Sequence, residues 1–255
     1  VATVSPQPYY EDDTTRLYLG DMRKLLPALD IAPDLVVADP PYQETSLEWD
    51  RWPDGWPALV AQYASSLWCF GSMRMFLDRR GEFADWKLSQ DVVWEKHIGS
   101  GFARDRFMRV HEHVLHWYRG SWATGYRQVP RQPAQFDAKG RTTSARQDDR
   151  AAHTGRIAAT PYVDDGMRLA RSVQRIRSLR GRAIHSAEKP VDLLRLLIEY
   201  ACPPGGLVLD PFAGSGSTAD AARQLGRRTV LIEVDEQSCA KIAGRLAQGV
   251  LEVPA

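Results

Sequence analysis

Short unbroken apolar runs recur along the chain, each closed by a carboxylate, a glycine or a proline. Leu17-Tyr18-Leu19 ends at Gly20-Asp21, Leu35-Val36-Val37-Ala38 at Asp39-Pro40-Pro41-Tyr42, Leu67-Trp68-Cys69-Phe70 at Gly71-Ser72, and Leu207-Val208-Leu209 at Asp210. A run without polar alternation predicts a strand buried on both faces. Proline gives no N–H to a ladder, so the strand starting at Leu35 must stop before Pro40. Thr229 to Val234 predicts a further strand with Glu233 near its end, and Asp91 to Trp94 and Val114 to Tyr118 predict two more. Apolar positions at 191, 193, 194, 197 and 198 have helical spacing and predict a helix from Val191 to Tyr200, with Pro190 in its first turn. Helices are also predicted over 22–29, 58–66, 218–225 and 237–247. This alternation predicts an α/β fold, a mostly parallel central sheet with helices on both faces. Such sheets bind ligands beyond their C-terminal strand ends. Asp21, Asp39, Asp210 and Glu233 all fall at such ends, so four carboxylates are expected along one edge.

Composition narrows the class. The chain has 255 residues, 44% hydrophobic and 25% charged, which excludes wholesale disorder and fibrous folds. No apolar run approaches the ~20 residues of a membrane span. The first residues lack the basic segment and apolar core of a secretory signal, so a cytoplasmic, non-secreted protein is expected. Three scattered cysteines, Cys69, Cys202 and Cys239, fit a reducing compartment, and without a C-x-x-C pair no metal is expected. The net charge of +1 hides an asymmetry: residues 119–182 hold fourteen Lys and Arg against five acids, a net of +9, leaving −8 for the rest. Thirteen of those fourteen are arginine, which suits planar bidentate recognition of phosphate and base edges. The block reads either as a polyanion-binding insert or as a solvated linker.

Two motifs carry candidate chemistry. In Asp210-Pro211-Phe212-Ala213-Gly214-Ser215-Gly216-Ser217-Thr218 the glycines let backbone approach a ligand, and the following helix offers its N-terminal N–H groups. The segment lacks the third glycine of the dinucleotide fingerprint and the lysine of a P-loop. Asp210 suits a ligand with an ammonium group, and Glu233, 23 residues later, stands where an acid binds ribose hydroxyls. Ribose plus ammonium points to S-adenosylmethionine more than to NAD. In Asp39-Pro40-Pro41-Tyr42 the prolines stiffen the backbone, so the Asp39 carboxylate and Pro40 carbonyl form two fixed acceptors beside a ring. That suits an exocyclic amine on a flat base; the plain alternative is a strand-ending turn.

DPPY followed much later by DPFAGSGST, with a basic insert between, resembles the β class of S-adenosylmethionine-dependent DNA amino-methyltransferases, which modify adenine N6 or cytosine N4. The resemblance extends over nearly the whole chain outside the insert. Leu19-Gly20-Asp21 is similar to the family's strand end at the cofactor adenine, with Met22 next to it. His185-Ser186-Ala187-Glu188-Lys189-Pro190 is similar to its H-x-x-x-K-P segment beside the methionine part, and Ile232-Glu233-Val234-Asp235 to its ribose-binding strand. The resemblance thus implies a Rossmann-like methyltransferase fold, with residues 1–118 the catalytic half, 119–183 the target-recognition insert and 184–255 the cofactor-binding half. It implies Asp39, Pro40, Pro41 and Tyr42 as catalytic residues. It implies Asp21, Met22, Asp39, His185, Ser186, Lys189, residues 210–218 (Asp210, Pro211, Phe212, Ala213, Gly214, Ser215, Gly216, Ser217, Thr218) and Glu233 at the cofactor.

The activity implied by the resemblance is methylation of a base flipped out of duplex DNA. Tyr42 would stack on the base while Asp39 and the Pro40 carbonyl aim its amino nitrogen at the sulfonium methyl. Aspartate in the first position of DPPY favours adenine N6. The alternatives are cytosine N4, a catalytically silent DNA-binding homologue, and RNA or protein amides. Arg168, Arg171, Arg175, Arg177 and Arg182 are expected to line one DNA-facing element, with Asp164 or Asp165 capping a helix there. The family is bacterial or phage-encoded, and the resemblance is compatible with a homodimer and with a cognate restriction endonuclease. Cys202 precedes a proline and does not resemble the Pro-Cys nucleophile of C5-cytosine methylation. His111-Glu112-His113-Val114-Leu115-His116 lacks the second histidine of H-E-x-x-H, and the family's similar His-Glu is read as structural. Trp49, Trp52 and Trp56 are read as packing, with a lid over the base as the alternative. Lys96 is read as a phosphate contact or a solvated lysine.

Overall fold

The computed structural model describes residues 6–100, 105–133, 165–177 and 188–248. The strands are β1 (Tyr10–Glu11), β2 (Thr15–Leu19), β3 (Leu35–Ala38), β4 (Ser66–Gly71), β5 (Lys87–Ser100), β6 (Arg109–Tyr118), β7 (Arg131–Pro133), β8 (Met167–Leu169), β9 (Val173–Arg175), β10 (Leu207–Asp210) and β11 (Arg228–Glu233). The helices are α1 (Met22–Leu25), α2 (Trp56–Val60), α3 (Met73–Asp78), α4 (Val191–Ala201), α5 (Ser217–Gln224) and α6 (Glu236–Ala247).

The chain divides into a larger unit, residues 1–128 with 172–255, and a smaller one, 129–171. The larger unit holds a nine-stranded sheet in the order β1-β2-β11-β10-β3-β4-β6-β5-β9. Its centre, from β2 through β4, is parallel, and an antiparallel hairpin of β5 and β6 extends one side. β3 demonstrates why the core has two faces. Val36 and Ala38 enter one apolar cluster with Met22, Leu26, Trp56 and Met75, whereas Leu35 and Val37 enter another with Leu193, Leu194, Leu197 and Ile198 from α4. Alternate side chains of one fully apolar strand thus bury against helices on opposite sides. A third cluster packs α6, through Cys239, Ile242 and Leu246, on Leu17 and Leu231. In the smaller unit β7 and β8 form a two-stranded antiparallel sheet.

Several expectations are corrected in detail. The helix expected over 58–66 is the short α2, which starts after Gly55 in a left-handed conformation and gives way at Ser66 to β4. α3, capped by the Ser72 hydroxyl on the Met75 N–H, lies where no helix was expected. Pro190 is the N-cap of α4 and not part of its first turn. No helix follows Asp165; its carboxylate accepts the Met167 N–H in a turn and pairs with Arg131 at 2.6 Å. Residues 119–128 and 172–177 group with the larger unit, the latter through β9, which adds to the edge of the sheet beside β5.

Candidate active site

The site is built at the middle of the sheet. β3 and β10 are parallel neighbours, Leu35 beside Val208 and Val36 beside Leu209. The chain leaves β3 toward β4 on one side and β10 toward β11 on the other, so the loops after the two strands part and leave a crevice. A cavity of about 730 Å³ opens there. Asp21, Met22, Asp39, Pro40, Pro41, Tyr42, Lys189, residues 210–215, Ser217, Thr218 and Glu233 all line it, so the four expected carboxylates do converge.

Asp39 lies just past the end of β3 with its side chain a quarter exposed. The Tyr42 hydroxyl donates to its Oδ1 at 2.6 Å, and the Lys189 ammonium donates to its Oδ2 at 2.6 Å. Lys189 is also 3.4 Å from Glu112 Oε2 on β6, and Lys96 on β5 forms an ion pair with the same glutamate. Burial acts to lower the Lys189 pKa, but Asp39 and Glu112 outweigh it and hold the ammonium above its ordinary value. Burial acts to raise Glu112, and Lys189 and Lys96 outweigh it in turn. Burial, with the charges of Asp39 and Glu112, pushes the Tyr42 phenol well up, so it remains a donor.

Asp210 ends β10 and is 5% exposed. Its oxygens accept from the Phe212 N–H at 3.0 Å and the Thr218 hydroxyl at 2.6 Å. Burial nevertheless pushes its pKa up to about 7, aided by the charges of Asp39 and Glu233, with those hydrogen bonds opposing. Glu233 Oε2 accepts the Gly214 N–H at 2.8 Å and its Oε1 the Asp235 N–H at 2.9 Å, which ties the Gly-containing loop to the end of β11. Phe212 packs edge-on against Trp56, with centroids 5.3 Å apart. Gly216 does not line the cavity. It caps α5 at φ +78°, and a Cβ there would meet Ile242 at 2.9 Å, so backbone conformation and helix packing require it. Ser217 donates to Glu188. Asp21 caps α1 and is held by Arg23 at 2.7 Å, whose hydrogen bond lowers its pKa.

His185, Ser186 and Arg182 lie outside the described residues. Arg168 is on β8 in the smaller unit, whereas Arg175 is on β9 in the larger, paired with Glu95 at 2.8 Å. Arg171 and Arg177 are exposed and flank β9. These four arginines therefore do not share one element. Trp52 and Trp56 are core residues, 6% and 0% exposed, while Trp49 is 58% exposed at the cavity. Lys96 is neither solvated nor free for phosphate, since Glu112 holds it. Cys202 is buried at the end of α4, where burial pushes its thiol up to about 12.

Two residues of the site have no clear mark in the sequence. Asp50 accepts the N–H groups of Gln43, Glu44 and Thr45 at 2.8, 2.9 and 2.7 Å, fixing the loop behind Tyr42, where Gln43 takes φ +59°. Backbone donors leave no residue pattern by which to find it. Glu112 had only a weak signal, the His-Glu pair just ahead of the strand predicted from Val114, and its partners come from distant segments. Among the described residues no group of three or more His, Cys, Asp or Glu side chains could hold a metal ion, and no helix is long and apolar enough to cross a membrane.

The model of the DNA methylase family with N6 and N4 members matches residues 33–244. The type II methyltransferase M.ScaI of Streptomyces caespitosus is 26% identical over 94% of this chain and 84% of its own length. The putative methylase YubD of Escherichia coli K12 is 56% identical over 57 residues, 22% of this chain and a quarter of that protein's length. Among solved structures, M1.HpyAVI in complex with SAM superposes with a TM-score of 0.60 at 19% identity, over 91% of this chain and 99% of that one. The cytosine-N4-specific PvuII DNA methyltransferase superposes with a TM-score of 0.65 at 16% identity, over 94% and 89%. Both structures share this α/β fold. With most of its length matched by the family model, and the site built at the crevice between β3 and β10, the chain belongs to the N6/N4 DNA methylase family.

Proposed function

We propose that the protein transfers a methyl group from S-adenosylmethionine to the exocyclic N6 of an adenine flipped out of duplex DNA. The observation that carries this reading is a single cavity lined by both Asp39 and the buried carboxylate of Asp210, which has no ion-pair partner among the described residues. Among the described residues no basic side chain forms a hydrogen bond or ion pair with Asp210, and burial raises its pKa to about 7. A carboxylate in that state suits a cationic ligand. Asp210 would face the methionine ammonium, Glu233 the ribose hydroxyls, and Asp21 with Met22 the adenine end. When bound, the cofactor supplies a sulfonium methyl to a nucleophile placed in line with it.

The chain's own part is positioning and electrostatics. Proline rigidity holds the Asp39 carboxylate and the Pro40 carbonyl as neighbouring acceptors. Two hydrogen bonds from the amino group would turn its nitrogen lone pair out of the ring. Tyr42, whose hydroxyl is fixed on Asp39, presents its ring to the base. The first residue of DPPY is aspartate, as in the family's adenine enzymes; the fold is equally that of the cytosine-N4-specific neighbour, so cytosine N4 is the second reading. Exposed arginines at 171, 175 and 177, and the basic block around them, supply phosphate contacts in this reading. A homodimer, a cognate restriction endonuclease and a cytoplasmic, bacterial or phage setting belong to the same proposal.

Asp39→Ala tests it. Labelled-methyl transfer into duplex DNA is expected to fall at least about 10²-fold while cofactor affinity changes little. Full transfer by the variant would defeat the assignment.

A further inference from the structure

Behind Asp39 runs a row of alternating charges contributed by four separate segments. Lys96 comes from β5, Glu112 from β6, Lys189 from the approach to α4 and Asp39 from the end of β3. Their side chains are 18%, 14%, 9% and 25% exposed, and the row is neutral overall, two cations with two anions. Lys189 lies between the two carboxylates, 2.6 Å from Asp39 Oδ2 and 3.4 Å from Glu112 Oε2. That Glu112 oxygen is buried and accepts no hydrogen bond. Its other oxygen is held by Lys96. The lysine thus has one filled acceptor and one open acceptor within reach.

Both oxygens of Asp39 are already engaged, by Tyr42 and by Lys189. A target amino group that takes one of these oxygens competes with the donor already on it and weakens that donor's bond. A buried ammonium that simply let go would be left unpaired, at high cost. Glu112 provides the alternative partner. We propose that Glu112, braced by Lys96, is a positioning residue that shares the Lys189 ammonium with Asp39 and takes the larger share of it when the target amine occupies Asp39. The inference rests on the reading of Asp39 as acceptor for that amine. Without the Glu112 charge, two cations face one carboxylate, and Lys189 stays clamped on Asp39.

Glu112→Gln keeps the shape and removes the charge. It is expected to lower kcat for methyl transfer by about 10- to 100-fold while the cofactor Kd moves less than about threefold. Lys96→Met is expected to lower kcat as well, and Lys96→Arg, which keeps the cation, to lower it less. Should Glu112→Gln not fold, the Lys96 pair carries the test. Wild-type kcat in Glu112→Gln, a matching loss of cofactor affinity, or equal effects of the two Lys96 variants would overturn the proposal, provided that the parent chain methylates DNA and Asp39→Ala does not. Failure of either control strikes the functional reading first, and this proposal with it.

Discussion

Asp210 is the residue where local chemistry speaks most directly about the ligand. Its folded pKa of about 7 lies above the ordinary carboxylate value, so the folded chain holds a proton in the window from about 4 to 7 that the unfolded chain has released. The sign is therefore that Asp210 disfavours the folded state increasingly as pH rises through that window. A bound ammonium would reverse this by stabilising the carboxylate. S-adenosylmethionine binding at pH 6 is therefore expected to release close to one proton, and affinity to rise up to about tenfold per pH unit until about pH 7. Calorimetry in buffers of different ionisation enthalpy measures the proton count. Asp210→Asn should bind more weakly and lose the pH dependence; an unchanged profile in that variant would mean that another group meets the ammonium. Asp39 belongs to the same scale. Its acidic end-of-strand position and its prolines were readable in the sequence, but the lysine on it comes from 150 residues away, and no local pattern reports such a contact.

At the scale of elements, the strands that make the crevice were readable almost to the residue. β3 and β10 are unbroken apolar runs because helices cover both faces, and each ends at the carboxylate that the cavity uses. α4 was readable from its spacing, and α6 was expected over nearly the residues it occupies. What was not readable depends on partners. α3 places Met73 and Leu77 outside and Met75 and Phe76 inside over only six residues, too short a span to display a period. β9 is three residues long and exists as a strand through its pairing with β5. The cavity-side loop after β3 is likewise defined by a single carboxylate, Asp50, 5% exposed and gathering three N–H groups. Charge-assisted hydrogen bonds of this kind are worth more than neutral ones. Asp50→Asn is expected to cost about 2–4 kcal/mol of unfolding free energy and to slow methyl transfer, because Tyr42 loses its backing. Urea unfolding monitored alongside transfer tests this; stability within about 0.5 kcal/mol of the parent would contradict it.

The whole molecule joins two halves that lie far apart in sequence. The segment carrying DPPY and the segment carrying DPFAGSGST enter the same sheet as neighbouring strands, and the crevice where their loops part is the cavity. Charge is distributed on the same plan, with the carboxylates at the cavity and the +9 block in residues 119–182. That distribution suits a cationic cofactor held inside the protein and a polyanion held outside it. The arginines were readable as a block, but their assignment to one element was not. β8 and β9 belong to different sheets, and a run of basic residues carries no signal for the break at residues 170–172 that divides it. The account as a whole predicts that the methyl group ends on an exocyclic base nitrogen. The direct measurement is mass analysis of nucleosides from the DNA of a methylation-free host that expresses the chain. N6-methyladenine, absent when Asp39→Ala is expressed instead, is the predicted result. A methyl on a base carbon, or methylated adenine that persists with Asp39→Ala, would contradict it.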